Sequence, residues 1–169
     1  MRETLFPNVA PAYVRIIQFI VAIGVSLAAG QIGSIFTISA ISTWYAGLTM
    51  PEFSPPSWVF APVWTVLYVF MGIALYLVWS KGWKQRGVPV AVGIFGVQLF
   101  LNVLWSYAFF GLQAPFLALT VILLLWIAIL LAIVAFYRVS IPAAALLVPY
   151  LIWVAFAAYL NHGIYILNP

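Results

Sequence analysis

The chain has 169 residues, 67% of them apolar and 5% charged, and a mean hydropathy of +1.22. This composition excludes a soluble globular domain, in which about a quarter of the residues are charged, and predicts an integral membrane protein. Cysteine is absent, which excludes disulfides, thiolate nucleophiles and cysteine metal sites. The net charge of +4 does not indicate a nucleic-acid partner, because the basic residues lie in short segments between apolar spans.

The first apolar span runs from about residue 13 to 36, after a polar, proline-broken segment at 1–12. It is long enough to cross a bilayer, which takes about 20 residues. Its Ala28-Ala29-Gly30 run resembles a signal-peptidase site. We nevertheless expect no cleavage, because the apolar run continues and the preceding segment is long and carries Glu3. Small residues predict close helix contacts along this span: Gly24, Ala28, Gly30 and Ser34.

An aromatic, proline-rich loop follows at about 37–57 and predicts a stiff lid over the bundle. Proline fixes φ and pushes the preceding residue towards extended geometry, so Met50-Pro51 and Ser54-Pro55-Pro56 should hold a defined non-helical path. Four more apolar spans complete a single domain over 1–169, an all-α bundle of five transmembrane helices. These spans are predicted at about 58–80, 88–110, 115–137 and 143–167.

Five spans place every basic residue on one side of the membrane. The positive-inside rule therefore predicts that the N-terminus is inside and that the lid and the C-terminus are outside. The basic residues are Arg2, Arg15, Lys81, Lys84, Arg86 and Arg138.

Catalytic and metal-binding patterns are missing from the sequence. No Ser-His-Asp set, carboxylate pair, phosphate loop or metal-ligand spacing can be assembled, so we predict no catalytic residues, no metal and no cofactor. His162 has two interpretations, a metal or haem ligand and a polar tip near the membrane interface. The second is favoured because a lone histidine has no second ligand here.

Aromatic and small residues recur at helical spacing on three of the spans. If these faces converge, they line a flat apolar cavity that suits a planar hydrophobic ligand such as a tetrapyrrole. Two alternatives stay open: tryptophans often form interfacial belts, and Gln98 and Asn102 can be interhelical hydrogen-bond partners. The faces contain Trp64 and Tyr68 on span two, Asn102 and Trp105 on span three, and Trp153, Ala157 and Leu160 on span five.

Motifs in all five spans carry a family resemblance. The runs WYAGL-MP-F-PP-WVF-PVWT-LY, MG-A-YLVW, QL-LN--W---FFG and VPYLIW-AFA-YLN resemble the TspO/MBR family (translocator protein, tryptophan-rich sensory protein) over about residues 13–166. The resemblance implies a five-helix membrane protein, often a homodimer, that binds porphyrins, haem-like tetrapyrroles and other flat hydrophobic ligands. It also implies a role in tetrapyrrole regulation, transport or stress sensing.

The resemblance also implies site residues. Trp64 and Trp153 match two tryptophans implicated in porphyrin binding and, in some members, in light-dependent porphyrin breakdown. Ala157 matches a small-residue site whose enlargement alters ligand binding. No lysine or arginine follows Arg138, and His162 replaces the tyrosine of the family's cholesterol motif, so no high-affinity cholesterol site of that type is expected. Matched pocket positions are Tyr45, Pro55, Tyr68, Asn102, Trp105, Ala157 and Leu160.

Three functions remain open at this point. The first is a membrane receptor, sensor or carrier whose pocket holds a tetrapyrrole beneath the lid, with entry from the membrane or from the outer face. The second is a light-dependent porphyrin-degrading enzyme that uses Trp64 and Trp153, in which the excited porphyrin and oxygen supply the chemistry. The third is a purely structural bundle.

Overall fold

The computed structural model describes residues 11–169, which form a bundle of five helices with no strand in that range. All five helices are long and apolar enough to cross a membrane. The predicted all-α membrane fold is therefore confirmed, whereas Arg2, Glu3 and the rest of the first ten residues lie outside the described part. The helices are α1 (Ala12–Ile41), α2 (Phe60–Trp79), α3 (Val88–Ser106), α4 (Pro115–Tyr137) and α5 (Ile141–Leu167).

Helix α1 extends five residues beyond the expected end at residue 36. The extension contains polar residues, but their hydroxyls bond to carbonyls one turn earlier in the same helix. Thr37 Oγ1 donates to the carbonyl of Gly33 at 3.1 Å, and Ser39 Oγ donates to that of Phe36 at 3.3 Å. Because these hydroxyls are satisfied locally, the helix continues and shortens the lid loop.

Proline and glycine determine where the other helices begin. Pro115 and Pro142 lie in the first turns of α4 and α5, where a missing N–H costs least. Gly87 precedes α3 with φ of 93°, a left-handed conformation that favours glycine. A turn of π-helix, Tyr107–Gly111, extends α3 to the tight turn before α4.

The principal helix contacts form a ring in the order α1, α2, α5, α4, α3 and back to α1. The end of the bundle that carries the lid is called the outer end here, and the opposite end the inner end. In the inner half, α1 and α2 are in close contact, because a Cβ at Gly72 would lie 2.7 Å from Ile23 Cα. Gly24 and Ala28, expected as packing positions, are instead exposed, while Gly33 is buried. Gly30, the third expected position, does make a close contact, since a Cβ there would lie 2.5 Å from Tyr68 Cε2, so the packing face of α1 matches the expected one only in part.

Charge is segregated between the two ends of the bundle. The described basic residues flank the start of α1, the α2–α3 turn and the α4–α5 turn, all at the inner end. Glu52 lies in the lid at the outer end. The basic residues are Arg15, Lys81, Lys84, Arg86 and Arg138.

Candidate functional site: an aromatic cavity beneath the lid

A cavity of about 450 Å³ lies in the outer half of the bundle, between α1, α2, the end of α3 and α5. Helix α4 contributes no residue to its lining, although it closes the ring behind α3 and α5. The lining is mostly aromatic and aliphatic, with several hydroxyl and amide groups and no charged side chain. Such a site selects for apolar ligands with a few hydrogen-bonding groups.

The wall of the cavity is a series of four aromatic rings. Trp64 stacks on Tyr68 with ring centroids 5.7 Å apart and an interplanar angle of 29°. The Trp64 ring lies 6.1 Å from that of Trp105, and the Trp105 ring lies 5.8 Å from that of Phe109, each pair with an interplanar angle of 30°. Each ring is inclined by about 30° to the next, so the four rings form a continuous aromatic series along the wall.

The floor of the cavity is held by a buried hydrogen-bond network. The hydroxyl of Tyr68 donates to Oδ1 of Asn102, whose Nδ2 donates to the hydroxyl of Tyr150 at 2.9 Å. Gly30 on α1 makes room for the Tyr68 ring, since a Cβ there would lie 2.5 Å from Tyr68 Cε2. The network fixes the ring at the level where the inner packing ends and the cavity begins.

Asn161 lines the cavity and fixes the position of Trp105. Its Oδ1 accepts from Trp105 Nε1 at 3.2 Å, and its Nδ2 donates to the carbonyl of Pro115 at 2.8 Å. Asn161 was not among the residues predicted from the sequence, although it lies one turn after Ala157 on the predicted face of α5. Extending that face by one turn would have identified it.

The lid is fastened to the C-terminal end of α5. Asn168 forms a reciprocal pair with Thr49: the Thr49 N–H donates to Asn168 Oδ1 at 2.9 Å, and Asn168 Nδ2 donates to the Thr49 carbonyl at 3.0 Å. Tyr159 donates from its hydroxyl to the carbonyl of Glu52 at 2.9 Å. Pro51 is buried against Gly163, where a Cβ would lie 2.6 Å from the proline ring.

A second set of lid contacts closes the outer end above the cavity. Trp44 and Tyr45 pack on Phe109 with centroid distances of 5.4 and 6.4 Å, and Tyr45 also contacts Phe110 at 5.8 Å. Burial raises the pKa of Tyr45 above that of an exposed phenol, because the charged phenolate would lose its hydration there. Trp44 is thus part of the packing that covers the cavity.

The structure brings six of the nine predicted ligand-binding residues to the cavity lining and leaves three outside it. Trp153 lies behind Phe60, with ring centroids 5.9 Å apart, and Phe60 is the residue that faces the cavity. Asn102 does not line the cavity but accepts a hydrogen bond from Tyr68, which does. Pro55 lies in the lid loop. Lining residues are Tyr45, Trp64, Tyr68, Trp105, Ala157 and Leu160.

His162 is exposed and is not part of the cavity lining. Among residues 11–169, no three His, Cys, Asp or Glu side chains form a group that could hold a metal ion. Gln98, one turn before Asn102, has a 3.9 Å contact from its Nε2 to Met71 Sδ, and its Oε1 is buried without a hydrogen-bond partner in the same range. The two amide side chains of α3 therefore differ, since only Asn102 is part of a complete network.

Comparison with known proteins identifies the family. The sequence model of the TspO/MBR family matches residues 22–167. The chain is 50% identical over 155 residues to tryptophan-rich protein TspO of Chlorobaculum tepidum, covering 92% of this chain and 98% of that protein. It is 46% identical over 155 residues to the Archaeoglobus fulgidus protein of the same name, with coverages of 91% and 99%.

A more distant similarity links the chain to an animal protein. The chain is 44% identical over 82 residues to human translocator protein, which covers 47% of this chain and 48% of the human protein. Those two names describe translocators and tryptophan-rich proteins rather than enzymes. The family match over most of the chain, with five apolar helices, shows that this chain belongs to the TspO/MBR family of integral membrane proteins.

Proposed function

We propose that this protein is a membrane receptor, sensor or carrier that binds porphyrin- and haem-type tetrapyrroles and other flat hydrophobic ligands in the aromatic cavity. Its role would lie in tetrapyrrole regulation or the stress response. The observation that carries the proposal is the series of near-parallel rings formed by Tyr68, Trp64, Trp105 and Phe109. A planar conjugated ligand gains dispersion and stacking along such a surface, about 0.5–1.5 kcal/mol for each aromatic pair beyond burial alone.

The size and polarity of the cavity also support a planar apolar ligand. Its volume of about 450 Å³ falls within the range of about 300–1,000 Å³ typical of sites for small organic molecules. Because no charged side chain lines it, an ionised group would lose its hydration inside without gaining a counter-charge. The apolar macrocycle of a porphyrin therefore belongs against the aromatic wall, with any acidic substituents directed away from it.

The test is quenching of tryptophan fluorescence by protoporphyrin IX in the purified protein. Wild type should show saturable quenching, and Trp64→Phe should weaken binding by about 2- to 10-fold through loss of the larger stacking surface. Trp79→Phe is the control, because Trp79 lies at the inner end of α2, far along the helix from the cavity. Trp153→Phe tests the second predicted tryptophan, and its position behind Phe60 favours a smaller effect.

Unsaturable quenching that is equal in all four proteins would indicate partition into detergent and would contradict the proposal. A second pair of variants tests occupancy of the cavity without removing a fluorophore. Ala157→Leu places a larger side chain in the cavity lining, whereas Ala155→Leu adds the same group on an exposed face of α5. We expect porphyrin affinity to fall in the first variant and to stay unchanged in the second.

The light-dependent enzyme is the second candidate, supported by the position of Trp64 on the cavity wall. Illumination of a stoichiometric protoporphyrin complex distinguishes it from binding alone. An enzyme should give one defined bilin-like product that is lost in Trp64→Phe or Trp153→Phe, whereas a binding protein should give only unspecific bleaching. Because Phe60 separates Trp153 from the cavity, a pair of tryptophans acting directly on one ligand fits the geometry less well than binding does.

We further propose a homodimer that uses the exposed face of α3. Gly93 and Gly96 are exposed, and a Cβ at either position would have no atom within 4 Å. Glycines on a lipid-facing helix allow close contact between helices of two copies. Gly96→Leu should shift a dimer towards the monomer in size-exclusion chromatography with light scattering, and Gly24→Leu on exposed α1 is the control.

The charge distribution supports the proposed orientation, with the inner end inside and the lid and C-terminus outside. Basic residues of the described chain lie at the inner end, as the positive-inside rule requires of the cytoplasmic side. Because the protein has no cysteine, single cysteines can report the topology. A membrane-impermeant thiol reagent on intact cells should label Glu52→Cys and not Lys84→Cys, and the reverse pattern would invert the orientation.

A further inference from the structure

The cavity is open along one side, between the outer halves of α1 and α2. Residues spaced by about one turn form its two edges, and several of them are exposed although they also line the cavity. This opening is called the side opening here. Its edges are Gln31, Ser34, Ile38 and Ile41 on α1, Ala61 and Thr65 on α2, and Ser57 in the short turn just before α2.

The other routes into the cavity are closed by packing. At the outer end, Tyr45 lies on Phe109 and Phe110, and the lid is held to α5 by the Asn168–Thr49 pair. At the floor, the Tyr68 ring fills the space beside Gly30. Opening either end requires breaking these contacts, whereas the side opening requires none to break.

The side opening lies at the depth of the hydrocarbon. Gln31 is ten residues before the end of α1 at Ile41, which is about 15 Å along the helix at 1.5 Å per residue. The 30 residues of α1 span about 45 Å, which is longer than a bilayer core of about 30 Å, so the helix end does not mark the membrane surface. Exposed apolar side chains on both sides of Gln31 along α1, Val25 at 47% and Ile38 at 72%, place it within the hydrocarbon. Neighbouring exposed side chains on the two helices are apolar, with Ile35 67% and Val66 51% exposed.

Gln31 is an exposed polar side chain at a depth where apolar side chains are expected. Its side chain is exposed and makes no hydrogen bond to any residue between 11 and 169. The hydroxyls beside it are satisfied by their own helices: Ser34 Oγ donates to the Gln31 carbonyl at 2.7 Å, and Thr65 Oγ1 to the Ala61 carbonyl at 2.8 Å. An unpaired amide in hydrocarbon is unfavourable, which makes a polar residue there a sign of function.

We propose that ligands enter the cavity sideways from the bilayer, between the outer halves of α1 and α2, and that Gln31 binds their polar edge in the side opening. The inference rests on the proposed function, because it assigns the entry route and a recognition residue to the same cavity. The amide of Gln31 offers two donors and one acceptor, which suit a carbonyl, a hydroxyl or a carboxyl group in its uncharged form, the form that a site without a counter-charge favours. The fitting ligand is an amphiphile with an apolar conjugated body against Trp64 and a polar edge at Gln31.

Equilibrium binding in nanodiscs tests the recognition residue with two porphyrins. Protoporphyrin IX carries carboxyl groups, whereas etioporphyrin carries only alkyl substituents on the same macrocycle. Gln31→Leu should lower the affinity for protoporphyrin IX by about 3- to 10-fold, which corresponds to the loss of one hydrogen bond, and should leave the affinity for etioporphyrin unchanged. Gln18→Leu is the matched control, because Gln18 is on the same helix and does not line the cavity.

Equal effects on both porphyrins, or no effect on either, would overturn the role of Gln31. The proposed function fails in a different way, since then neither porphyrin shows saturable binding to the wild type and Ala157→Leu changes nothing. Saturable etioporphyrin binding that is sensitive to Ala157→Leu, together with an unaffected Gln31→Leu, would therefore retain the cavity and reject the inference.

Binding kinetics test the route, with porphyrin absorbance as the signal. Ala61→Trp and Ile38→Trp narrow the side opening from its two edges, and both should slow association and dissociation together. Val66→Trp, exposed on α2 outside the lining, is the control and should match the wild type. Asn168→Ala, which removes the pair between Asn168 and Thr49 of the lid, should not accelerate association. Acceleration in Asn168→Ala, with normal rates in both tryptophan variants, would place the entrance at the outer end.

Discussion

The inner and outer halves of the α1–α2 pair are built in opposite ways. In the inner half, Gly72 removes a side chain and the helix backbones come into contact beside Ile23. In the outer half the two helices are separated by large rings, and the space between them is a cavity of about 450 Å³ with one open side. Tyr68, beside Gly30, lies at the boundary between the two halves.

This difference shows how two adjacent helices can carry both a stable core and a binding site. Without a hydrophobic driving force in lipid, helix association depends on close packing and on interhelical hydrogen bonds. The inner half supplies the packing, and the Tyr68–Asn102–Tyr150 network supplies polar contacts at the boundary. The outer half can remain open because the lid and its contacts with α5 hold its other edges.

The largest expected effect comes from breaking the boundary network with Asn102→Leu. The change leaves the hydroxyls of Tyr68 and Tyr150 without their partner, and each unsatisfied buried group costs about 1–3 kcal/mol. The midpoint of thermal unfolding in detergent should fall, and porphyrin affinity should fall with it because Tyr68 is no longer fixed.

Gln98→Leu is the matched control, one turn earlier on the same helix. Gln98 has a buried Oε1 without a partner among residues 11–169, so this change should be neutral or stabilising. Equal losses in both variants would show that α3 is sensitive to any change of size, and would contradict a specific role for the network.

A slightly smaller effect is expected from Gly72→Ala, which adds a side chain at the close helix contact of the inner half. The new Cβ would lie 2.7 Å from Ile23 Cα, so the helices must separate, at a cost of about 1–3 kcal/mol typical of overpacking. Thermal unfolding should register the loss. Gly24→Ala, where a Cβ has no atom within 4 Å, should be neutral or slightly stabilising through helix propensity. Equal unfolding midpoints in the two variants would mean that the close contact is not maintained in the membrane protein.

Releasing the lid with Asn168→Ala should have a local effect. The Thr49 N–H loses its acceptor, and hydrogen exchange at that amide should accelerate by about fivefold, the value of one hydrogen bond. Tyr159→Phe removes the separate contact to Glu52 and should leave the Thr49 amide protected. Unchanged exchange in Asn168→Ala would show that the aromatic contacts of Trp44 and Tyr45 alone hold the lid.

The smallest effect concerns the ionisation of Tyr45. Burial raises its pKa in the folded protein above the value near 10 of an exposed phenol. The contribution of this pKa difference to the free energy of unfolding is fully present below about pH 10. It is lost as the pH rises through the pKa of Tyr45 in the folded protein, because the unfolded chain then ionises first. Between pH 8 and 11, the unfolding midpoint of the wild type should fall slightly more than that of Tyr45→Phe. Identical profiles would show that the phenol is hydrated in the membrane.

The sequence by itself determined the membrane class, the five helices, the side on which the charge lies and most of the aromatic wall. These follow from local properties: apolar run length fixes a span, and helical periodicity places Trp64 with Tyr68 and Asn102 with Trp105. The extension of α1 to Ile41 was not predicted, because serine and threonine residues in a sequence indicate a loop. In the structure their hydroxyls bond to backbone carbonyls one turn earlier, which lets the helix continue.

Only the tertiary structure decided which residues face the cavity. Trp64 and Trp153 both lie on predicted aromatic faces, yet Phe60 covers Trp153 and leaves Trp64 exposed to the cavity. The pairing of Asn168 with Thr49 spans 119 residues, and the isolation of Gln31 depends on how far α1 and α2 separate. Periodicity fixes the face of one helix, but what lies opposite that face depends on side-chain volumes from several helices, which no local pattern encodes.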